Sequence, residues 1–217
     1  MTSMSNYPAT LPQELLITQR AFRAAMDALA RPGRVYSVPA MPRPTLANPW
    51  LETLTQMLLD STCSFCVAAS DEQTLSLAIR ARTYAQLLPC QQARFAIIAA
   101  DASVEQSASI LSALSGGTDE APELGATALI ECAALFAPGE PSPSTREVHW
   151  FGVTGPGVAS KHLFGVSCSW WQEVRLARAD EFPCGIDLIL VDQIGRLIAL
   201  PRTARLAQIR RAERERG

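Results

Sequence analysis

The sequence predicts an α/β fold of three layers, a mixed central sheet with helices on both faces. Three observations carry that expectation. Two runs of strand length, Ala93–Ala100 and Ile186–Val191, are apolar at nearly every alternating position, Asp187 being the exception in the second. That pattern belongs to strands covered on both sides. Segments with apolar residues at helical spacing lie between the strand-like runs. Neither a repeat nor a break in composition divides the 217 residues, so 1–217 is read as a single α/β domain with one large core.

The elements follow in chain order. Residues 1–10 are expected to form a disordered or extended tail. From Gln13 to Arg31, Leu15, Phe22, Met26 and Leu29 fall at helical spacing, with alanines between them. Arg31-Pro32-Gly33-Arg34 then stops the helix in a turn. Its arginine pair is either a solvated helix end that complements the dipole or a fixed anion clamp. Val35–Val38 reads as a short strand. Asn48 can cap a second helix with Leu51, Leu54 and Leu58 on one face, and Ser64–Ala69 follows as a strand. Gln73–Leu88 is read as helical, weakened at Thr83 and Tyr84. After the Ala93 run, Val104, Ala108 and Leu111 mark a helix closed by Gly116-Gly117.

Gly117 to Glu123 is a polar, acidic loop, either a connector or a functional rim, leading into a strand from Gly125. Residues 137–145 carry three prolines and form a loop or hairpin tip. Val148–Val153 is a strand ending in Thr154-Gly155-Pro156-Gly157. Such a turn lets a ligand or a neighbouring backbone come close and can aim N–H groups at an anion. It lacks the spacing of a P-loop or a dinucleotide fingerprint, so neither nucleotide motif is expected. Trp170 and Trp171 sit in a helix, Ser167–Ala179, as core or interface residues. Ile186–Val191 then returns through Asp192–Gly195 into a second strand, Arg196–Leu200. Pro201 ends that strand and delivers Arg202 and Thr203 to a rim. Asp187, in so apolar a run, calls for a local arginine or backbone N–H groups; a catalytic role is the alternative. Leu206–Arg216 reads as a short basic helix or tail.

Composition narrows the function. A net charge of −2 and a pI near 5.7 argue against nucleic acid or an anionic membrane as partner. No signal peptide or spanning run is visible, and a cytoplasmic location is expected. The six cysteines lie mostly in apolar segments and are read as free thiols. Cys63-Ser-Phe-Cys66 has metal-like spacing but no second pair, so no metal is expected. Against eighteen arginines there is one lysine, Lys161, the only residue available to Schiff-base chemistry.

Four motifs stand in order between roughly residues 20 and 205. They are Phe22-Arg23…Met26…Ala30-Arg31-Pro32-Gly33; Gly117-Thr118…Pro122-Glu123-x-Gly125-Ala126-Thr127; Thr154-Gly155-Pro156-Gly157; and Phe182-Pro-x-Gly-x-Asp187-Leu followed by Leu200-Pro-Arg-Thr203. This set resembles the H subunit of the bacterial carbon–phosphorus lyase core complex, a component of phosphonate metabolism. The resemblance implies a fold similar to the large domain of pyridoxal-phosphate-dependent transferases, without a working cofactor site. It implies a homodimer when isolated and the other subunits of the core complex as partners. It implies an accessory, mainly structural role in making alpha-D-ribose 1-methylphosphonate 5-triphosphate from ATP and methylphosphonate. No cofactor and no catalytic residue is expected in this chain. The candidate contacts to a phosphonate or nucleotide ligand are Arg31, Gly33, Arg34, Gly117, Thr118, Gly155, Gly157, Arg202 and Thr203, with Arg205 as a further arginine. A stand-alone small-molecule transferase or an anion-binding homodimer is the competing reading.

Overall fold

The computed structural model describes residues 13–141, 147–178, 181 and 183–209. Its helices are α1 (Gln13–Ala30), α2 (Pro49–Leu58), α3 (Glu72–Thr83), α4 (Val104–Ala113) and α5 (Trp170–Ala177). Its strands are β1 (Tyr36–Ser37), β2 (Ser64–Ala68), β3 (Gln86–Leu87), β4 (Phe95–Ile98), β5 (Thr127–Glu131), β6 (Leu135–Phe136), β7 (His149–Thr154), β8 (His162–Val166), β9 (Asp187–Val191), β10 (Arg196–Leu200) and β11 (Arg205–Ile209). Seven of these form the central mixed sheet in the order β1-β10-β9-β5-β4-β2-β3. The run from β9 to β3 is parallel, and β10 and β1 close one side antiparallel.

Side chains alternate across a strand, and here both faces are covered. Leu188 and Leu190 of β9 join a core with Leu111 of α4 and Trp171 of α5. Ile189 and Val191 join the opposite core with Ala21 of α1, Leu54 of α2 and Ile79 of α3. The three-layer expectation therefore stands, with one addition. The α4–α5 face also carries a four-stranded antiparallel sheet, β11-β7-β8-β6. Phe151 and Phe164 of that sheet reach the first core, Phe151 with its ring 5.2 Å from Trp171. The strand around Val148–Val153 thus pairs outside the central sheet.

Several elements differ from the expectation for identifiable reasons. The α1 face that packs on α2 and β10 consists of Ala21, Ala25 and Ala28, because small side chains let the elements approach closely. Leu15, Phe22 and Met26 point outward instead, at 50%, 51% and 49% exposure. α3 stops at Thr83, where Tyr84 takes a left-handed conformation (φ 60°) and its N–H bonds Arg80 O. Gln86 and Leu87 are then free to extend β2 as an edge strand. α4 ends at Ala113, ahead of the two glycines, and Val104 is exposed. Residues 205–209 form β11 rather than a helix, because pairing with the free edge of β7 outweighs local preference. The expected tail at 1–10 and residues 210–216 lie outside the described residues. The Asn48 cap is present, its Oδ1 accepting from Trp50 N at 3.0 Å and Leu51 N at 2.9 Å. Among the described residues no helix is long and apolar enough to cross a membrane.

Candidate functional site

An open parallel sheet commonly holds ligands beyond the carboxyl ends of its strands. Here that rim is acidic and tied up internally. Glu131, at the end of β5, accepts from Asn48 Nδ2 at 3.1 Å and from Ala100 N at 3.2 Å. Asp101, beyond β4, accepts from the N–H and hydroxyl of Ser70, beyond β2. Asp192, fully buried beyond β9, accepts from Leu135 N, Ile194 N and Arg196 N, and pairs with Arg196 Nε at 2.8 Å.

The opposite rim is basic. Asp187 opens β9, and β10 ends beside it, so Arg202 meets it across the hairpin. Arg202 gives Asp187 its backbone N–H at 2.7 Å and its Nη2 at 2.8 Å, with Nε at 3.3 Å. Its Nη1 goes to Pro122 O, which ties in the acidic loop. Asp187 therefore has both kinds of partner the sequence called for, and the Arg202 guanidinium is spent on that pair. Thr118 accepts from Ala121 N at 3.1 Å within the same loop, and Gly117 donates to Ser115 Oγ.

The other candidate residues form a second group. The turn after α1 packs on the β7–β8 hairpin, and Gly33 N reaches Ala199 O. His162 bonds Pro32 O at 2.8 Å through Nδ1 and receives Arg34 Nε at 3.3 Å. Arg31 pairs with Asp27 at 2.7 Å, one turn back on α1, and this exposed contact is worth little. Gly157 (φ +79°) is needed because a Cβ there would collide with Ala30 O. Gly155 lies against Thr203 O, the link between the two groups. At Gly157 the close neighbour is thus backbone of the same chain. Of the candidate arginines, Arg31, Arg34 and Arg202 have partners within the protein.

A cavity of ≈ 400 Å³ opens on the basic rim, between α5 and the turn from β10 to β11. Arg202 and Thr203 line it, as does Arg205. Arg175 of α5 and Arg178, which caps its C-terminal end, also line it; neither was among the candidates. They lie three apart and so share a helical face, a signal present in the sequence but overshadowed by the neighbouring tryptophans. Arg175 donates to four carbonyls, those of Ile186, Leu200, Pro201 and Ala204, and so fixes the cavity wall. Burial lowers its pKa to about 10, and it stays charged at neutral pH. Arg178 holds Glu181 at 3.0 Å and the carbonyls of Leu111 and Ser112 at the end of α4.

Cys184 lines the same cavity, its thiol 3.7 Å from Asp119 Oδ1 and pushed up by burial and that carboxylate. Lys161 lies elsewhere, against Gly152 of β7. Among the described residues no group of three or more His, Cys, Asp or Glu is placed to hold a metal ion.

The sequence model of the bacterial phosphonate metabolism protein (PhnH) family matches residues 10–207. No curated protein matches the chain.

Proposed function

The chain belongs to the PhnH family of bacterial phosphonate metabolism proteins, and on that premise we propose that it is an accessory subunit of the carbon–phosphorus lyase core complex. With its partner subunits it supports formation of alpha-D-ribose 1-methylphosphonate 5-triphosphate from ATP and methylphosphonate. Its main contribution is structural and partner-binding, in the cytoplasm, and isolated copies pair as homodimers.

The observation that carries the partner-binding part is the outward stripe of α1. Leu15, Phe22 and Met26 are each about half exposed, beside the alanine face that packs inward. Large apolar side chains grouped on one exposed helix face are what a docking surface supplies. The candidate turns are consistent with a scaffold role, because their arginines already bond the protein itself.

Reconstitution tests the reading. Omitting this chain from the assembled set should abolish formation of the ribosyl methylphosphonate triphosphate from ATP and methylphosphonate, followed by phosphorus NMR. Undiminished product without the chain would overturn it.

A further inference from the structure

We propose that the cavity between α5 and the β10–β11 turn binds a small molecule carrying a phosphate or phosphonate group, with Arg205 and Thr203 as its direct contacts. The inference deepens the subunit reading and rests on it for the ligand class.

Charge balance is the first argument. Four guanidinium groups line the cavity, those of Arg175, Arg178, Arg202 and Arg205. Two are matched, Arg178 by Glu181 and Arg202 by Asp187. Neither Arg175 nor Arg205 makes an ion pair with a carboxylate among the described residues; Asp187, whose charge also reaches Arg175, is held by Arg202. Asp119 approaches the Cys184 side of the cavity, but it is exposed, as Arg205 is, so solvent screens both and Arg175 is the less screened charge. The cavity therefore carries positive charge that a dianion can neutralise. Desolvation of Arg175 makes this more favourable, because the anion arrives beside a charge that water no longer serves.

Hydrogen-bonding capacity is the second argument. Arg175, Arg178 and Arg202 are committed to carbonyls and carboxylates of the protein. The Arg205 guanidinium, the Thr203 hydroxyl and the Gln172 amide line the same space, and none has a side-chain partner among the described residues. A fork of N–H donors beside a hydroxyl suits the oxygens of a tetrahedral anion. Leu176, Ile186 and Leu206 supply apolar wall beyond that head group, and ≈ 400 Å³ is within the small-molecule range. The ligand therefore has an organic part as well as its charged head.

Calorimetric titration of the full chain with methylphosphonate, inorganic phosphate and pyrophosphate tests the site. Saturable binding of at least one probe is expected, weakening as salt rises. Arg205→Ala should lower affinity about tenfold or more, the loss of one charge-assisted bidentate contact. Thr203→Val should lower it by a smaller factor, and Arg34→Ala should leave it unchanged. Tighter binding of methylphosphonate supports a phosphonate head group; tighter binding of phosphate or pyrophosphate supports a phosphate ester. Arg205 sits on an edge strand and is exposed, so Arg205→Ala should fold, and the melting profile of each variant checks this. No saturable binding by the wild-type chain would overturn the proposal, as would wild-type affinity in both Arg205→Ala and Thr203→Val. Binding that persists while the reconstitution experiment fails would overturn the subunit role and leave the site standing. Lost binding alongside a successful reconstitution would do the reverse.

Discussion

Asp192 and Arg175 hold opposite charges at opposite ends of the β9–β10 hairpin, and they are served differently. Asp192 is fully buried and receives three backbone N–H groups as well as the Arg196 guanidinium. Arg196 also reaches Glu140 and lies over the Phe136 ring, so the Asp192 charge is both paired and packed around. Arg175 donates to four carbonyls and pairs with no carboxylate, and Asp187, whose charge reaches it, is held by Arg202. At one end of the sheet the buried charge is paired and fully hydrogen-bonded. The other keeps positive charge beside a cavity. The proposed site would reverse the usual preference for the carboxyl ends of parallel strands, a rim this chain fills with its own polar groups.

The largest expected effect breaks the paired end. Asp192→Ala removes the acceptor for three N–H groups and leaves Arg196 partly unpaired, at a cost of about 3–5 kcal/mol in denaturant unfolding. Its anion affinity should not change. Arg175→Met should cost about 2–3 kcal/mol through carbonyls left without a donor, and should also weaken anion binding. If Arg175→Met destabilises the chain but leaves affinity intact, the two ends differ in packing alone.

Next comes the surface. Phe22→Glu combined with Met26→Glu should cost only about 1–2 kcal/mol, since both side chains are already about half exposed. The same pair should disrupt assembly, read by size-exclusion chromatography with light scattering.

A pH dependence separates the buried thiols from the surface. Burial pushes the Cys66 thiol up to about 12 and the Cys168 thiol up to about 11, from an ordinary 9.0. The folded state therefore keeps protons that the unfolded state loses. Stability from these thiols is fully present below pH 9 and declines as pH rises from there through 11 and 12. Melts at pH 8 and 10 should show this decline, reduced in Cys66→Ala.

The central sheet was legible because doubly buried parallel strands leave an apolar run whatever covers them. The β9–β10 hairpin and the Asn48 cap follow from local chemistry, and so does the demand of Asp187 for a nearby arginine. What failed to show depends on contacts between distant segments. Nothing in residues 205–209 announces that β7 offers them an edge. Spacing grouped Leu15, Phe22 and Met26 on one face, but only packing against α2 and β10 decides that the alanines turn inward. The site shows the same limit. Turn glycines and arginines stand out in a sequence, yet Arg31, Arg34 and Arg202 already have partners in the fold. Arg175 and Arg178, which carry no motif, line the cavity together with Arg202, Thr203 and Arg205.

Native mass spectrometry of the tagged chain co-expressed with the other subunits of the core complex tests the central claim most directly. The account predicts a hetero-oligomer of fixed stoichiometry containing this chain. A chain recovered only with copies of itself, while the other subunits assemble without it, would contradict it.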